Sequence, residues 1–116
     1  MQKPDEVRLK HMLDAAEQAL AFARNRSRTD LDTDLMLVFA LVKAIEIVGE
    51  AASQVTQTTC DQYPTIPWPE IVGMRHRLVH AYFDINLDIL WRTVRQDLPL
   101  LIVWLQEALK ENGNVV

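Results

Sequence analysis

The chain has 116 residues, enough to bury one hydrophobic core and too few for a second independent domain, so we expect a single domain over residues 1–116. Hydrophobic residues make up 49% of the sequence while glycine and proline are few, a composition that argues against a disordered chain and favours an all-α fold. The net charge of −4 argues against binding of nucleic acid through a broadly basic surface, so any RNA contact has to be local.

The first predicted helix opens at Pro4 and Asp5, where Asp5 is the candidate N-terminal cap. Its apolar residues recur at steps of four and three, as in a helix with one buried face: Leu9, Leu13, Ala16, Leu20 and Ala23. The polar segment 25–30 contains no apolar residue and predicts a loop. Polar residues there and just after it favour the start of a second helix: Thr29, Asp30, Asp32 and Asp34.

Apolar residues nearly encircle the second predicted helix, which covers Leu35 to Val55. In a small bundle such a helix either lies at the centre or packs against a second copy, so we expect a homodimer. The apolar run is interrupted by Lys43, Glu46 and Glu50, well short of the ~20 apolar residues that a membrane-spanning helix requires. The polar N-terminus does not resemble a signal peptide, and we expect no membrane association.

Residues 56–69 carry three prolines and predict a structured loop. Cys60, which lies in this loop, is the only cysteine in the sequence. A single cysteine allows no intrachain disulfide and no thiolate cluster for zinc, and it favours a cytoplasmic protein. A short helix is predicted to start at Trp68 or Pro69 and to run into the stretch Arg75–Tyr82.

The last predicted helix carries a long apolar stripe that ends before Asn112 and Gly113. The stripe advances by steps of four and three: Leu87, Trp91, Val94, Leu98, Leu101, Leu105 and Leu109. Pro99 falls inside it and removes one backbone hydrogen bond, so we expect a kink near residues 97–99 and not a break into two helices. Together these elements predict an up-and-down bundle of four to five helices.

A short basic segment inside this acidic chain holds the residues with the clearest chemical signal: Arg75, His76, Arg77, His80 and Tyr82. Histidine gives or takes a proton near neutral pH, and arginine holds a phosphate with a planar, permanently charged group. Tyrosine adds a hydroxyl. Phosphodiester chemistry uses these groups.

Geometry limits how this segment could work. Residues five apart on an ideal helix lie roughly 140° apart around the axis, so Arg75 and His80 would not converge on one straight helix. Either the helix ends irregularly before His80, or a two-fold axis brings the arginine and the histidine of both copies into one cleft. We favour the second arrangement, helped by the first.

The spacing Arg75, four residues, His80, Ala81, Tyr82 resembles the Arg-x4-His-x-Tyr motif of HepT toxins. These are the HEPN-domain partners of MntA-type minimal nucleotidyltransferase antitoxins. Three further segments are similar to the same family: residues 43–52, 66–75 and 91–99. The resemblance therefore covers most of the chain.

The resemblance implies a helical bundle that dimerises, with the Arg75 and His80 pairs of two subunits lining a shared cleft. It implies a metal-independent endoribonuclease without a cofactor, with tRNA favoured over mRNA as substrate. His80 would handle the proton of the attacking 2′-hydroxyl or of the leaving oxygen, while Arg75 would stabilise charge on the transition state. His76 and Arg77 are supporting candidates, and Glu46 is a candidate to hold the Arg75 guanidinium if it is buried beside it.

The same resemblance implies regulation through Tyr82. In such toxin–antitoxin systems, of a type VII-like kind, the MntA-type antitoxin transfers AMP units from ATP onto the motif tyrosine. Phosphates placed beside Arg75 and His80 would occupy the site of the RNA backbone and silence the enzyme. We therefore expect Tyr82 to be accessible.

Other interpretations of these residues need to be stated. The basic stretch could be only a solvated helix face, and Glu46 could lie on a solvent-exposed strip. His76 and His80, four apart on one helix face, could bind a metal, but the neighbouring Arg75 and Arg77 would repel a cation, so we expect no metal site. The rival function is a non-catalytic helical module that binds a nucleotidyltransferase partner or a nucleotide.

Overall fold

A computed structural model describes residues 1–81 and 84–113 of the chain. It confirms the all-α prediction, because the described strands form only a single two-stranded hairpin. The α-helices are α1 (Lys3–Phe22), α2 (Leu35–Ser53), α3 (Gln57–Gln62), α4 (Trp68–Val72), α5 (Met74–Leu78), α6 (Leu87–Arg92) and α7 (Leu98–Gly113). The strands are β1 (Val79–Ala81) and β2 (Asp84–Ile85).

Two pairs of these helices are nearly continuous. Gly73 alone separates α4 from α5, and a π-helical turn at Thr93–Asp97 joins α6 to α7. When each pair is counted as one rod, the described ranges contain five helical rods, in agreement with the expected four to five.

The hydrophobic core lies between the long helices. α1 packs along α2, α7 packs on α1, and the short helices α4 and α5 pack on α2. The largest fully buried side chains include Leu9, Met12, Leu41, Ile45, Leu101 and Leu105. Within residues 1–81 and 84–113, no helix has the length and apolar character needed to cross a membrane.

Asp5 does not cap α1, which corrects the expectation from sequence. The helix begins at Lys3, and Asp5 lies in its first turn with only 3% of its surface exposed. Its carboxylate accepts hydrogen bonds from the backbone N–H of Thr56 (3.1 Å) and from the hydroxyls of Thr56 (2.5 Å) and Thr59 (2.6 Å). Asp5 thus holds the start of α3, which lies inside the segment that was predicted to be a loop.

The connection between α1 and α2, predicted as a loop over residues 25–30, contains a 3-10 helix at Arg28–Asp32 and is held by charged side chains. The Asp34 side chain accepts a hydrogen bond from the Leu37 backbone N–H at 3.0 Å and caps α2. Arg28 donates to Asp32 at 2.9 Å and to Asp88 at 2.7 Å. Since Asp88 lies in the first turn of α6, this pair ties the connection to the helix that follows the hairpin.

The helix around Pro99 is continuous, as expected, and its irregularity is a π-helical turn. The Leu98 backbone N–H donates to the Thr93 carbonyl, five residues back, directly before the proline. A π-helical turn of this kind is a common way for a helix to absorb an interruption of its hydrogen-bond ladder.

Candidate active site

The helix that carries Arg75 is short and is fixed by two apolar anchors. Met74 and Leu78, one turn apart on α5, are buried, and the residues between them, Arg75, His76 and Arg77, are exposed. This arrangement presents three consecutive basic or titratable side chains to solvent on a backbone that is anchored in the core.

His80 lies on a strand and not on this helix. After Leu78 the backbone becomes extended, with φ −117° and ψ 106° at Val79, and enters β1. The helix does run into the Arg75–Tyr82 stretch, as predicted, and it ends at Leu78, which confirms the expectation that it ends before His80. His76 and His80 therefore do not share a helix face, which removes the geometric basis of the metal-binding alternative.

The hairpin that carries His80 is tied to the helices on both sides. Val79 pairs with Ile85 and Ala81 pairs with Asp84, while the exposed His80 lies between the half-buried Val79 and Ala81. Immediately after β2, the Asn86 backbone N–H donates to the Leu78 carbonyl at 2.7 Å. This short hairpin is therefore closed at its base.

The predicted modification site, Tyr82, lies outside the described residues. Its accessibility stays a prediction. The described residues nearest to it in sequence are Ala81 and Asp84, and they pair with each other.

Glu46 contacts Arg75, as proposed from the sequence, but the pair is not buried. The Arg75 Nε donates to the Glu46 carboxylate at 3.2 Å, and Lys43 Nζ lies 3.4 Å from the other carboxylate oxygen. The side chains of Arg75 and Glu46 are 44% and 36% exposed. An exposed ion pair contributes at most ~1 kcal/mol to stability, so this contact serves to orient the guanidinium and adds little to the fold.

The orientation leaves Arg75 able to bind an anion. Its Nε is engaged by Glu46, and among the described residues no other group accepts a hydrogen bond from its two terminal nitrogens. A guanidinium held in this way presents a two-pronged donor, which matches the oxygens of a phosphate.

Arg77 does not join Arg75. Its terminal nitrogen donates to the Glu70 backbone carbonyl at 3.2 Å. The side chain also lines a groove of about 220 Å³ between α4, α5 and α7, together with Met74 and Trp104. The structure thus places the two arginines against different elements, and the supporting role of Arg77 stays a prediction, as does that of His76.

Gly49, to which no functional role was assigned from the sequence, sets how closely α2 and α4 approach. A Cβ on Gly49 would lie 3.2 Å from the Ile71 carbonyl oxygen and 3.4 Å from that of Val72. Glu46 is one turn before Gly49 on α2, so this close approach helps to bring Arg75 within reach of Glu46. The available signal was a glycine inside an otherwise strongly helical, apolar segment.

Comparison with known proteins points to one family of ribonucleases. A family model described as "Ribonuclease HepT-like" matches residues 12–108. A protein named "Probable ribonuclease HepT" from Thermococcus cleftensis is 35% identical over 101 residues, which cover 87% of this chain and 92% of the relative. A protein from Caldanaerobacter subterraneus subsp. tengcongensis, named "Putative RNase TTE0752", is 33% identical over 103 residues, which cover 89% of this chain and 92% of the relative.

No solved structure matches this chain. The family match extends across α1 to α7 and includes the Arg75–His80 segment and its contact with Glu46. The chain therefore belongs to the ribonuclease HepT-like family, and its helical bundle is a HepT-type HEPN domain.

Proposed function

We propose that this protein is a metal-independent endoribonuclease in which His80 and Arg75 carry the chemistry. The observation that supports this most strongly is that the guanidinium of Arg75, on the helix directly before β1, is oriented by Glu46, while His80 on β1 is exposed. The names of the relatives point to the same activity.

The proposed reaction uses the 2′-hydroxyl of the RNA as the nucleophile. The 2′-oxygen loses its proton to an imidazole and bonds to phosphorus, the bond between phosphorus and the 5′-oxygen breaks, and the 5′-oxygen takes up a proton. The products are a 2′,3′-cyclic phosphate and a 5′-hydroxyl. Arg75 stabilises the negative charge that builds on the phosphoryl oxygens during this step.

We further propose that two subunits form the complete site. One subunit supplies a single His80, whereas the reaction needs one group that accepts a proton and another that donates one; a two-fold axis supplies the second imidazole. Exposed apolar side chains in the first two turns of α2 support such an interface: Leu35 (62%), Met36 (83%) and Phe39 (53%). Patches of this kind mark surfaces that pack against another protein.

The dimer is tested by size-exclusion chromatography with light scattering. Met36→Glu combined with Phe39→Glu should convert a dimer into a monomer and abolish RNA cleavage. Leu100→Glu is the matched control, because Leu100 is 55% exposed but lies on α7. A wild-type protein that is monomeric while it cleaves RNA would contradict the shared site.

We propose that the protein acts as a toxin of a type VII-like toxin–antitoxin system, with tRNA as the favoured substrate. An MntA-type nucleotidyltransferase would transfer AMP from ATP onto the Tyr82 hydroxyl: the phenolic oxygen bonds to the α-phosphorus and pyrophosphate leaves. The added phosphate would compete with RNA for Arg75. Intact-mass analysis after incubation with the partner and ATP should show AMP steps in the wild type and none in Tyr82→Phe.

RNA cleavage by the purified protein in EDTA tests the catalytic assignment. His80→Ala and Arg75→Ala should each lose at least 100-fold in rate, the usual scale for loss of a proton-transfer group or an electrostatic contact. Asp84→Ala and Arg24→Ala are controls, since Asp84 is exposed in the same hairpin and Arg24 is exposed at the end of α1. If the wild type cleaves no RNA, the non-catalytic module that binds a nucleotidyltransferase or a nucleotide becomes the better description.

A further inference from the structure

A polar pocket lies between α1 and α2. The pocket has a volume of about 280 Å³ and is lined by Arg8, His11, Ile47, Glu50, Ala51 and Gln54. We call it the α1–α2 pocket. None of these residues belongs to the Arg-x4-His-x-Tyr motif, and the chemistry proposed above does not use them.

The polar side chains of this pocket are free to bind a ligand. Among the described residues, the side chains of Arg8, His11, Glu50 and Gln54 form no hydrogen bond or ion pair with another group of the protein. Polar side chains that line a pocket without forming hydrogen bonds to one another can still donate and accept hydrogen bonds to a ligand.

The composition of the pocket fits one nucleotide. Ile47, 36% exposed, offers an apolar surface against which the face of a base can pack. The Gln54 amide can pair with a base edge, and the Glu50 carboxylate can accept from an exocyclic amino group. Arg8 supplies the positive charge for a phosphate and the His11 ring can donate a hydrogen bond to it, while the negative charge of Glu50 disfavours a phosphate on the α2 side.

The position of the pocket relates it to the proposed catalytic residues. Ile47 directly follows Glu46, and Glu50 is one turn further along α2. One to two helical turns correspond to roughly 5–11 Å along the axis. At a rise of ~3.4 Å per stacked nucleotide, this span covers about two or three nucleotides.

We propose that the α1–α2 pocket is a substrate subsite that takes an unpaired nucleotide of the RNA, a few positions from the bond that is cleaved. This inference rests on the proposed ribonuclease function and adds a recognition element to it. A base held in the pocket would select single-stranded RNA, because a base in a duplex cannot turn its edge and its face toward the protein.

Binding of a fluorescent single-stranded RNA to His80→Ala protein, followed by anisotropy, tests the subsite without cleavage. Adding Arg8→Ala or Gln54→Ala should weaken binding about 5- to 20-fold. The matched control is Arg24→Ala, which removes the same charge from an exposed position at the far end of α1 and should change binding less than 2-fold. Equal losses for Arg8→Ala and Arg24→Ala would show a non-specific charge effect and overturn the proposal.

Two further measurements separate the possible outcomes. In otherwise wild-type protein, Gln54→Ala should shift the positions at which a defined RNA is cut. If neither the cleavage positions nor RNA binding changes, the proposed subsite is wrong, while the proposed ribonuclease function is unaffected. Absence of cleavage by the wild type, with binding still weakened by Arg8→Ala, would overturn the catalytic function and keep the binding site. Displacement of the RNA by equimolar AMP would indicate a site for a free nucleotide and contradict an RNA subsite.

Discussion

Asp5 should be one of the most important side chains for stability, although it lies on α1, which carries none of the proposed catalytic residues. Its carboxylate accepts three hydrogen bonds across 51 to 54 positions of sequence, from Thr56 twice and from Thr59 once. These bonds fasten α3 to the start of α1. We expect Asp5→Ala to loosen this connection while the rest of the core stays assembled.

The size of the effect follows from the burial of the partners. A hydrogen bond to a charged group contributes ~1.5–3 kcal/mol, and a donor left buried without a partner costs ~1–3 kcal/mol. Thr59 is 2% exposed and would lose its partner outright, whereas Thr56 is exposed and water can replace its two bonds. We therefore expect Asp5→Ala to lower the free energy of unfolding by about 2–4 kcal/mol.

The dependence on pH provides an independent check. Burial acts to raise the pKa of Asp5, but the hydrogen bonds from Thr56 and Thr59 outweigh it, so the pKa in the folded protein lies below the ordinary value of 3.8. The stabilisation should be complete above pH 3.8 and should be lost as the pH falls through the lower, folded-state pKa.

Urea unfolding of the wild type and Asp5→Ala from neutral pH to pH 3 measures both effects. The difference between the two proteins should be constant near neutral pH and shrink at the acidic end. Asp14→Ala, which removes an exposed carboxylate from the same helix, should change stability by less than ~0.5 kcal/mol. Equal stability of Asp5→Ala and Asp14→Ala at neutral pH would refute the reasoning.

Two further predictions concern the support of Arg75. Gly49→Ala should lower the free energy of unfolding in urea by about 1–3 kcal/mol, because the new methyl group would press on the Ile71 carbonyl. Gly→Ala within a helix usually increases stability, so a gain in stability here would contradict the close approach of α2 and α4. Glu46→Gln should leave the unfolding free energy within ~0.5 kcal/mol of wild type but slow RNA cleavage several-fold, as Arg75 loses its orienting charge. Glu17→Gln, an exposed change on α1, is the control, and equal cleavage rates for the two variants would remove the orienting role.

The long helices could be predicted because their sequences repeat with the helical period over many turns. The second helix was expected over Leu35–Val55 and is observed over Leu35–Ser53, with Asp34 as its cap. In α2 the capping residue and the buried apolar residues favour the same helix, so the sequence pattern is sufficient to predict it.

Two connecting segments could not be predicted: α3, whose structure depends on contacts distant in sequence, and the β1–β2 hairpin. The polar sequence of α3 has no helical stripe, and the helix starts where Asp5 meets Thr56. β1 and β2 have three and two residues, too few for any alternation of polar and apolar side chains to be recognised.

The candidate site, like the fold, could be predicted only in part from the sequence. The contact of Glu46 with Arg75 was one of two alternatives left open by the sequence, the other being a solvent-exposed strip, and the structure shows the contact in a partly exposed position. The exposure of the Arg75–Glu46 pair depends on how closely α2 and α4 approach. The role of Gly49 in that approach can be recognised only in the folded structure.

The most direct test of the central claim uses a short RNA with a single 2′-deoxy substitution at a mapped cleavage position. In EDTA, the wild type should cut the unmodified RNA to a 2′,3′-cyclic phosphate and a 5′-hydroxyl, and His80→Ala should not. The substituted RNA should resist cleavage at that position, since it lacks the nucleophile. Cleavage of the substituted bond, or a 5′-phosphate on the product, would contradict the proposed roles of His80 and Arg75.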